Sequence, residues 1–281
     1  MRQPKFPIQD LAHLAPWEWP SGTGRLVADT IIDKTADPED RLTAMHMAGD
    51  LVLMNDGMAA LLLSAVENPA ETTDLRAQAA ISLGPALDEA SLSEFDDEDL
   101  APSISEEMFH RIGLTLMKVY GDANAPKELR RRALEAAVRS PEDWHTEAIR
   151  TAFASGDAEW KLTAVFGMQY VRGFDQEVLA MLNSTDLQLR TMAVTAAGNG
   201  ELKAAWPHIE RMLSTHGITK PLLLAAIEAA ASINPSEAVP ILQDLEDSRD
   251  PEIAEAASDA LMMARLPDDN GEEDDSRDWL N

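Results

Sequence analysis

A unit of about 30 residues recurs along this chain and decides what it can fold into. Each copy opens with a short polar turn and a charged residue, then places small side chains at helical spacing. DPEDRLTAMHMAGDL (37–51), TDLRAQAAISLG (73–84), KELRRRALEAAVR (127–139), DAEWKLTAVFGM (157–168) and DLQLRTMAVTAAG (186–198) share this layout, each with a base ahead of its alanines. KPLLLAAIEAAASI (220–233) and DPEIAEAASDALMMA (250–264) are further copies in which that base is lost. A helix pair this small cannot bury an apolar face alone, so the copies must stack on one another.

Equivalence of Arg41, Arg76, Arg131, Lys161, Arg190, Leu222 and Ile253 gives a nearly constant step, except between Arg76 and Arg131, where roughly 20 residues have been added. Second helices lie between the alanine-rich ones, as in NDGMAALLLSAVE (55–67), SEEMFHRIGLTLMKVY (105–120), SPEDWHTEAIRTAFA (140–154) and ELKAAWPHIERML (201–213). Ser140, with Pro141 and two acids behind it, and Ser105, with Glu106 and Glu107, carry N-cap chemistry. Pro207 and Pro240 fall inside two second helices and predict a kink or a late start there. The aromatic share of 5% and the lack of alternating β-branched runs also favour helix.

The expected architecture is therefore all-α: a right-handed α-solenoid of about seven helix pairs over residues 23–266. An extended segment, residues 1–22, precedes it, with a capping helix starting near Thr23, and a disordered acidic tail, residues 267–281, follows.

The repeats resemble the HEAT-like family, in its short form known from phycocyanobilin-lyase subunits. The aspartate or proline turn, the Arg or Lys and the Ala/Gly positions quoted above carry the resemblance, over about residues 37–264. It implies an interaction scaffold in which the second helix of each pair lines the concave face. Members that are chromophore lyases imply an alternative, a pocket lined by Trp144, His145, Trp160, Tyr170, Phe174 and Trp206. Aromatics at helical spacing more often fill a core or seal adjacent repeats. Trp144 and His145 open a second helix and are the expected exceptions, as a hot spot in the groove.

Cysteine is absent, which removes disulfides, thiolate metal sites and Cys nucleophiles. None of the six histidines forms a His-Glu pair or a His-Glu-x-x-His motif. An iron site of the deoxyhypusine hydroxylase type, a HEAT-repeat enzyme, needs such pairs. HTE (145–147) lacks the cysteines of a zinc deaminase, and SGTGR (21–25) lacks the Lys-Ser/Thr of a phosphate loop. No catalytic residue, metal ligand or cofactor is expected.

The formal charge of −27, from 23 bases against 50 acids, repels phosphate backbones and anionic membranes. The cluster Arg130 to Arg132 does not make a basic patch, because consecutive helical residues diverge by about 100°. Pairing with Glu128 and Glu135 is the expected use. The most apolar run, 221–233, contains Glu228 and is too short to span a bilayer, and the N-terminal stretch is broken by prolines and acids. These features predict a cytoplasmic protein with a basic protein partner, and neither nucleic acid nor membrane as partners; an acidic mimic of nucleic acid ranks third, after the lyase reading.

Two acidic segments complete the candidates. SLSEFDDEDLAPSISEE (91–107) carries seven carboxylates and no base. As a calcium loop starting at Asp96 it fails, because Leu100 and Ala101 occupy positions that need an oxygen ligand and a glycine. It reads as a solvated insert between two helices of one pair, whose Asp96, Asp97, Glu98 and Asp99 would meet a basic partner at the rim. In the tail, Trp279 and Leu280 among acids have the composition of a docking motif.

Overall fold

The computed structural model describes residues 7–93, 95, 101–215 and 217–265, and these form helices joined by short turns with no strand among them. The chain divides into two compact units, Met1–Gly173 and Phe174–Asn281. The boundary falls at Gly173, whose φ of 95° is one that only glycine adopts without strain.

The first unit contains α1 (Ile8–Ala12), α2 (Thr23–Ile32), α3 (Pro38–Ala48), α4 (Asp56–Glu67), α5 (Thr73–Ser82), α6 (Gly84–Leu92), α7 (Glu106–Gly121), α8 (Lys127–Ala137), α9 (Asp143–Ala154) and α10 (Ala158–Gly167). The second contains α11 (Asp175–Met181), α12 (Leu187–Asn199), α13 (Trp206–Leu213), α14 (Lys220–Ile233), α15 (Pro235–Glu246) and α16 (Pro251–Ala264). The alanine-rich helices α3, α5, α8 and α10 stack in one row in the first unit, and α12, α14 and α16 do so in the second, which is the packing of an α-solenoid.

Small residues set the spacing of these rows. A Cβ on Gly49 would lie 2.7 Å from the Ser82 carbonyl oxygen, and one on Gly198 would lie 2.9 Å from the Ala229 Cα. Both are distances that real Cβ atoms do not reach, so glycine is what allows α3 to approach α5 and α12 to approach α14.

Each first helix starts at a residue that frees the chain from the preceding turn. Asp37, Thr72, Asp157, Asp186 and Asp250 are side-chain N-caps, each accepting from an amide of the first turn. Four residues beyond three N-cap positions stands an arginine whose Nε donates to a carbonyl ten residues back: Arg41 to Ile31 at 3.2 Å, Arg76 to Val66 at 3.0 Å and Arg130 to Tyr120 at 2.8 Å. Each acceptor is the penultimate residue of the helix before, where carbonyls have no intrahelical partner and the helix dipole favours a cation. In these three repeats the recurrent base of the sequence is thus the joint between consecutive helices. Its third member is Arg130, not Arg131: three adjacent arginines left the register open, and the start of α8 after Pro126 fixes it. A second rung links N-termini of neighbouring repeats, with Lys127 on Asp157 at 3.0 Å and on Glu159, and Lys220 on Asp250 at 2.8 Å and on Glu252.

Two expectations need correction. Residues 7–22 are not simply extended, because α1 buries Ile8 and Leu11 and Gln9 bonds Asp40 and Thr43 of α3. Trp19 Nε1 donates to the Leu11 carbonyl at 2.8 Å and holds that helix in place. The residues added in the long interval are not a plain loop either. They include α6, which buries Ala86, Leu87 and Ala90 and packs against α7 and α8. Arg139 clamps it: its guanidinium is 3.7 Å from Asp88, and a Cβ on Gly84 would meet its Cδ at 2.8 Å. Ser91 and Leu92 belong to α6, and Glu106 and Glu107 to α7. The tail 267–281 lies outside the described residues.

Of the two prolines expected to kink or delay a helix, Pro207 matches and Pro240 does not start its helix late. A 3-10 turn, Lys203–Ala205, precedes α13, which starts late with Pro207 in its first turn, whereas Pro240 is tolerated inside α15.

Candidate functional site

The second helices of the first unit border an open groove of about 460 Å³. Leu87 of α6, Phe109 and Leu114 of α7, and Trp144 of α9 give it apolar walls, with His110 and Glu142 as polar groups. Leu114 is 64% exposed, although α7 already buries Met108, Ile112 and Leu116 on its core face. Gly113 opens the floor: its missing side chain leaves space beside the Glu142 carboxylate, 3.5 Å from where a Cβ would be. Glu142 accepts from Trp144 Nε1 at 3.2 Å and makes no ion pair among the described residues. Apolar walls around an unneutralised carboxylate suit a ligand that is itself part apolar and part cationic.

Trp144 alone of the expected aromatic set lines this groove. Its ring lies 5.5 Å from Tyr120, which also faces Trp160 edge-on at 6.2 Å, and Arg130 stacks on both Tyr120 and Trp160. Trp160 is therefore a half-buried seal between α8 and α10. Tyr170 packs on Phe166 beneath the Arg139 guanidinium. In the second unit Phe174 is buried, and Trp206 is 8% exposed, donating Nε1 to Glu237 at 2.9 Å.

His145 is not a groove residue. It is 1% exposed and its Nδ1 accepts from the Glu142 amide at 2.8 Å, which closes a capping box at the start of α9. The proton therefore sits on Nε2, which is buried and has no partner among the described residues. Burial lowers its pKa from 6.5 to about 4. The unfolded chain binds a proton here before the folded one does, so stability falls as pH drops from 6.5 towards 4, by up to about 3 kcal/mol. His145→Gln keeps the capping acceptor without the titration, and chemical denaturation at pH 4 to 7 should show a shallower loss in this variant.

Asp96, Asp97, Glu98, Asp99 and Trp279 lie outside the described residues. The chain on either side of the acidic interval is anchored next to the groove. The Phe95 ring lies 5.8 Å from Phe109, and Glu89 accepts from the Ser103 amide at 2.9 Å.

The arginine triplet is used internally. Arg131 and Arg132 each pair with both Glu128 and Glu135, and Thr163 bridges Glu135 and Arg131 across α8 and α10 at 2.6 and 2.9 Å. Among the described residues no group of three or more potential metal ligands occurs, and no helix is long and apolar enough to cross a membrane.

Fold and groove together define a helical-repeat protein with an apolar-acidic groove on its second-helix row. No protein-family model matches the chain, and no curated protein does. Among solved structures, human deoxyhypusine hydroxylase in complex with glycerol is similar over 86% of this chain and 95% of its own, at 15% identity and a TM-score of 0.35. An engineered protein is similar over 92% and 73%, at 16% identity and a TM-score of 0.45. A designed armadillo repeat protein is similar over 85% and 98%, at 14% identity and a TM-score of 0.34. The repeat assignment rests on the internal regularity of this chain, above all on the shared Arg-to-carbonyl joint.

Proposed function

We propose that this protein is a non-enzymatic HEAT-like scaffold whose groove between α7 and α9 binds a polypeptide segment carrying an apolar side chain flanked by Lys or Arg. The observation that carries the reading is the Glu142 carboxylate, without an ion pair among the described residues, in a groove walled by Leu114 and Trp144. An apolar anchor would fill the space above Gly113, and a neighbouring base would pair with the exposed Glu142 carboxylate, adding orientation more than affinity. The overall charge of −27 would speed encounter with a basic partner.

Affinity capture with the full chain and with Leu114→Asp and Trp144→Ala variants tests this. The same basic protein should be retained by the wild type and lost by both variants. Retention by both would remove the groove from the interface. Neutralising Asp96, Asp97, Glu98 and Asp99 to the corresponding amides should leave the fold intact and flatten the salt dependence of binding. An unchanged salt dependence would make that interval a spacer.

A further inference from the structure

A second site is marked by an arginine that departs from the other three arginines at its repeat position. Arg41, Arg76 and Arg130 all spend their Nε on the penultimate carbonyl of the preceding helix. Arg190 holds the same position, four residues beyond the Asp186 N-cap, but its Nε is buried and bonds nothing among the described residues. Arg190 instead lines a pocket of about 320 Å³ in the second unit, together with Arg211, Asn183, Met212, Ile218 and Leu222. Neither arginine lies within ion-pair distance of a carboxylate among the described residues. Among the described residues the Arg211 side chain contacts the His208 ring nitrogen, at 3.2 Å.

In a chain with 50 acids and 23 bases, a lining that contains two guanidiniums and no carboxylate is a reversal of the local field. Each other arginine at this repeat position hydrogen-bonds a carbonyl, to which Arg41 adds a carboxylate and Arg130 two aromatic faces. Two arginines on one lining without a counter-charge make the pocket electropositive, and an anion bound there is favoured. We propose that this pocket binds the carboxylate of a ligand with a short apolar body. The guanidinium fork matches a carboxylate in two parallel hydrogen bonds. Met212, Ile218 and Leu222 supply the apolar wall, and the volume stands at the small end of ligand sites. A net charge of −27 penalises a doubly charged phosphate more than a monoanion, which selects the carboxylate.

Such a group is offered by a short-chain acid or by the free C-terminus of a polypeptide ending in Leu or Ile. Calorimetric titration of the full chain with octanoate, and with a short neutral peptide ending in Leu as the free acid or the amide, separates these sources. Octanol and inorganic phosphate serve as controls. Binding of octanoate supports the site with a small acid as its source; binding of the peptide acid alone supports it with a chain terminus as its source. In either case Arg190→Gln and Arg211→Gln should each weaken binding at least about tenfold, as expected for loss of a charge-assisted pair. Arg190→Gln should leave the thermal midpoint unchanged, since that side chain makes no hydrogen bond or ion pair among the described residues, which separates a binding defect from unfolding. Failure of both acids to bind, equal binding of octanol, the amide or phosphate, or undiminished binding by the two variants would overturn the proposal.

Discussion

Gly49→Ala should destabilise the first unit by about 1–3 kcal/mol, the range for overpacking a tight contact. The sign is informative because every local effect runs the other way. Gly49 has φ −79°, which alanine adopts freely, and losing a glycine lowers the entropy of the unfolded chain. What opposes it is the Ser82 backbone, whose carbonyl oxygen would be 2.7 Å from the new Cβ. Gly198→Ala poses the same conflict inside α12, where helix propensity alone would favour alanine by about 1 kcal/mol. Gly113→Ala is the contrast: its Cβ would find ordinary contact at 3.5 Å, so propensity should win and stability should rise. Hydrogen exchange resolves where each effect acts. Protection should fall in α3 and α5 for Gly49→Ala, in α12 and α14 for Gly198→Ala, and nowhere for Gly113→Ala.

Glu71→Ala should cost about 3–5 kcal/mol, the range for stranding one member of a buried pair. Arg41 and Glu71 side chains are each 9% exposed, and two hydrogen bonds of 2.9 Å join them. Without Glu71, the Arg41 guanidinium keeps only the Ile31 carbonyl, at 3.2 and 3.0 Å. The double variant Arg41→Met/Glu71→Ala should recover much of the loss, because it removes the stranded charge as well. The Arg41 hydrogen bonds hold the Glu71 carboxyl below its ordinary range. The stabilisation is therefore complete above the unfolded carboxyl pKa and disappears as pH falls through the lowered folded value. Urea midpoints measured against pH in wild type and double variant would reveal this as an acid-side difference.

How far these features were legible depends on what fixes each of them. The repeat step, the aspartate caps and the pairing of Arg131 and Arg132 with Glu128 and Glu135 are consequences of short-range spacing, and the sequence displays them. Helix α6 had local signals as well, with Gly84 and Pro85 at its start and Ala86, Leu87 and Ala90 on one face. Its docking depends on Arg139, about 50 residues further along the chain, and the carboxylates that follow α6 carry the signature of a solvated loop. His145 illustrates the limit at the site. Its neighbour Trp144 is half-buried and lines the groove, but one residue along a helix turns the side chain by about 100° and buries the His145 ring. The groove itself left a trace in α7, where Phe109, Leu114 and Met117 are apolar yet out of phase with the core positions Ile112 and Leu116. A helix with a second apolar stripe has a second surface to cover.

The most direct test of the proposed function is site-specific photo-cross-linking in cells. A photoreactive phenylalanine analogue placed at Leu114 should yield one dominant adduct with a basic protein, which Trp144→Ala abolishes. The same analogue at Leu187, an exposed apolar residue of the second unit, should not yield that adduct. A position-114 product that survives Trp144→Ala, or the same product from both positions, would contradict a docking groove between α7 and α9.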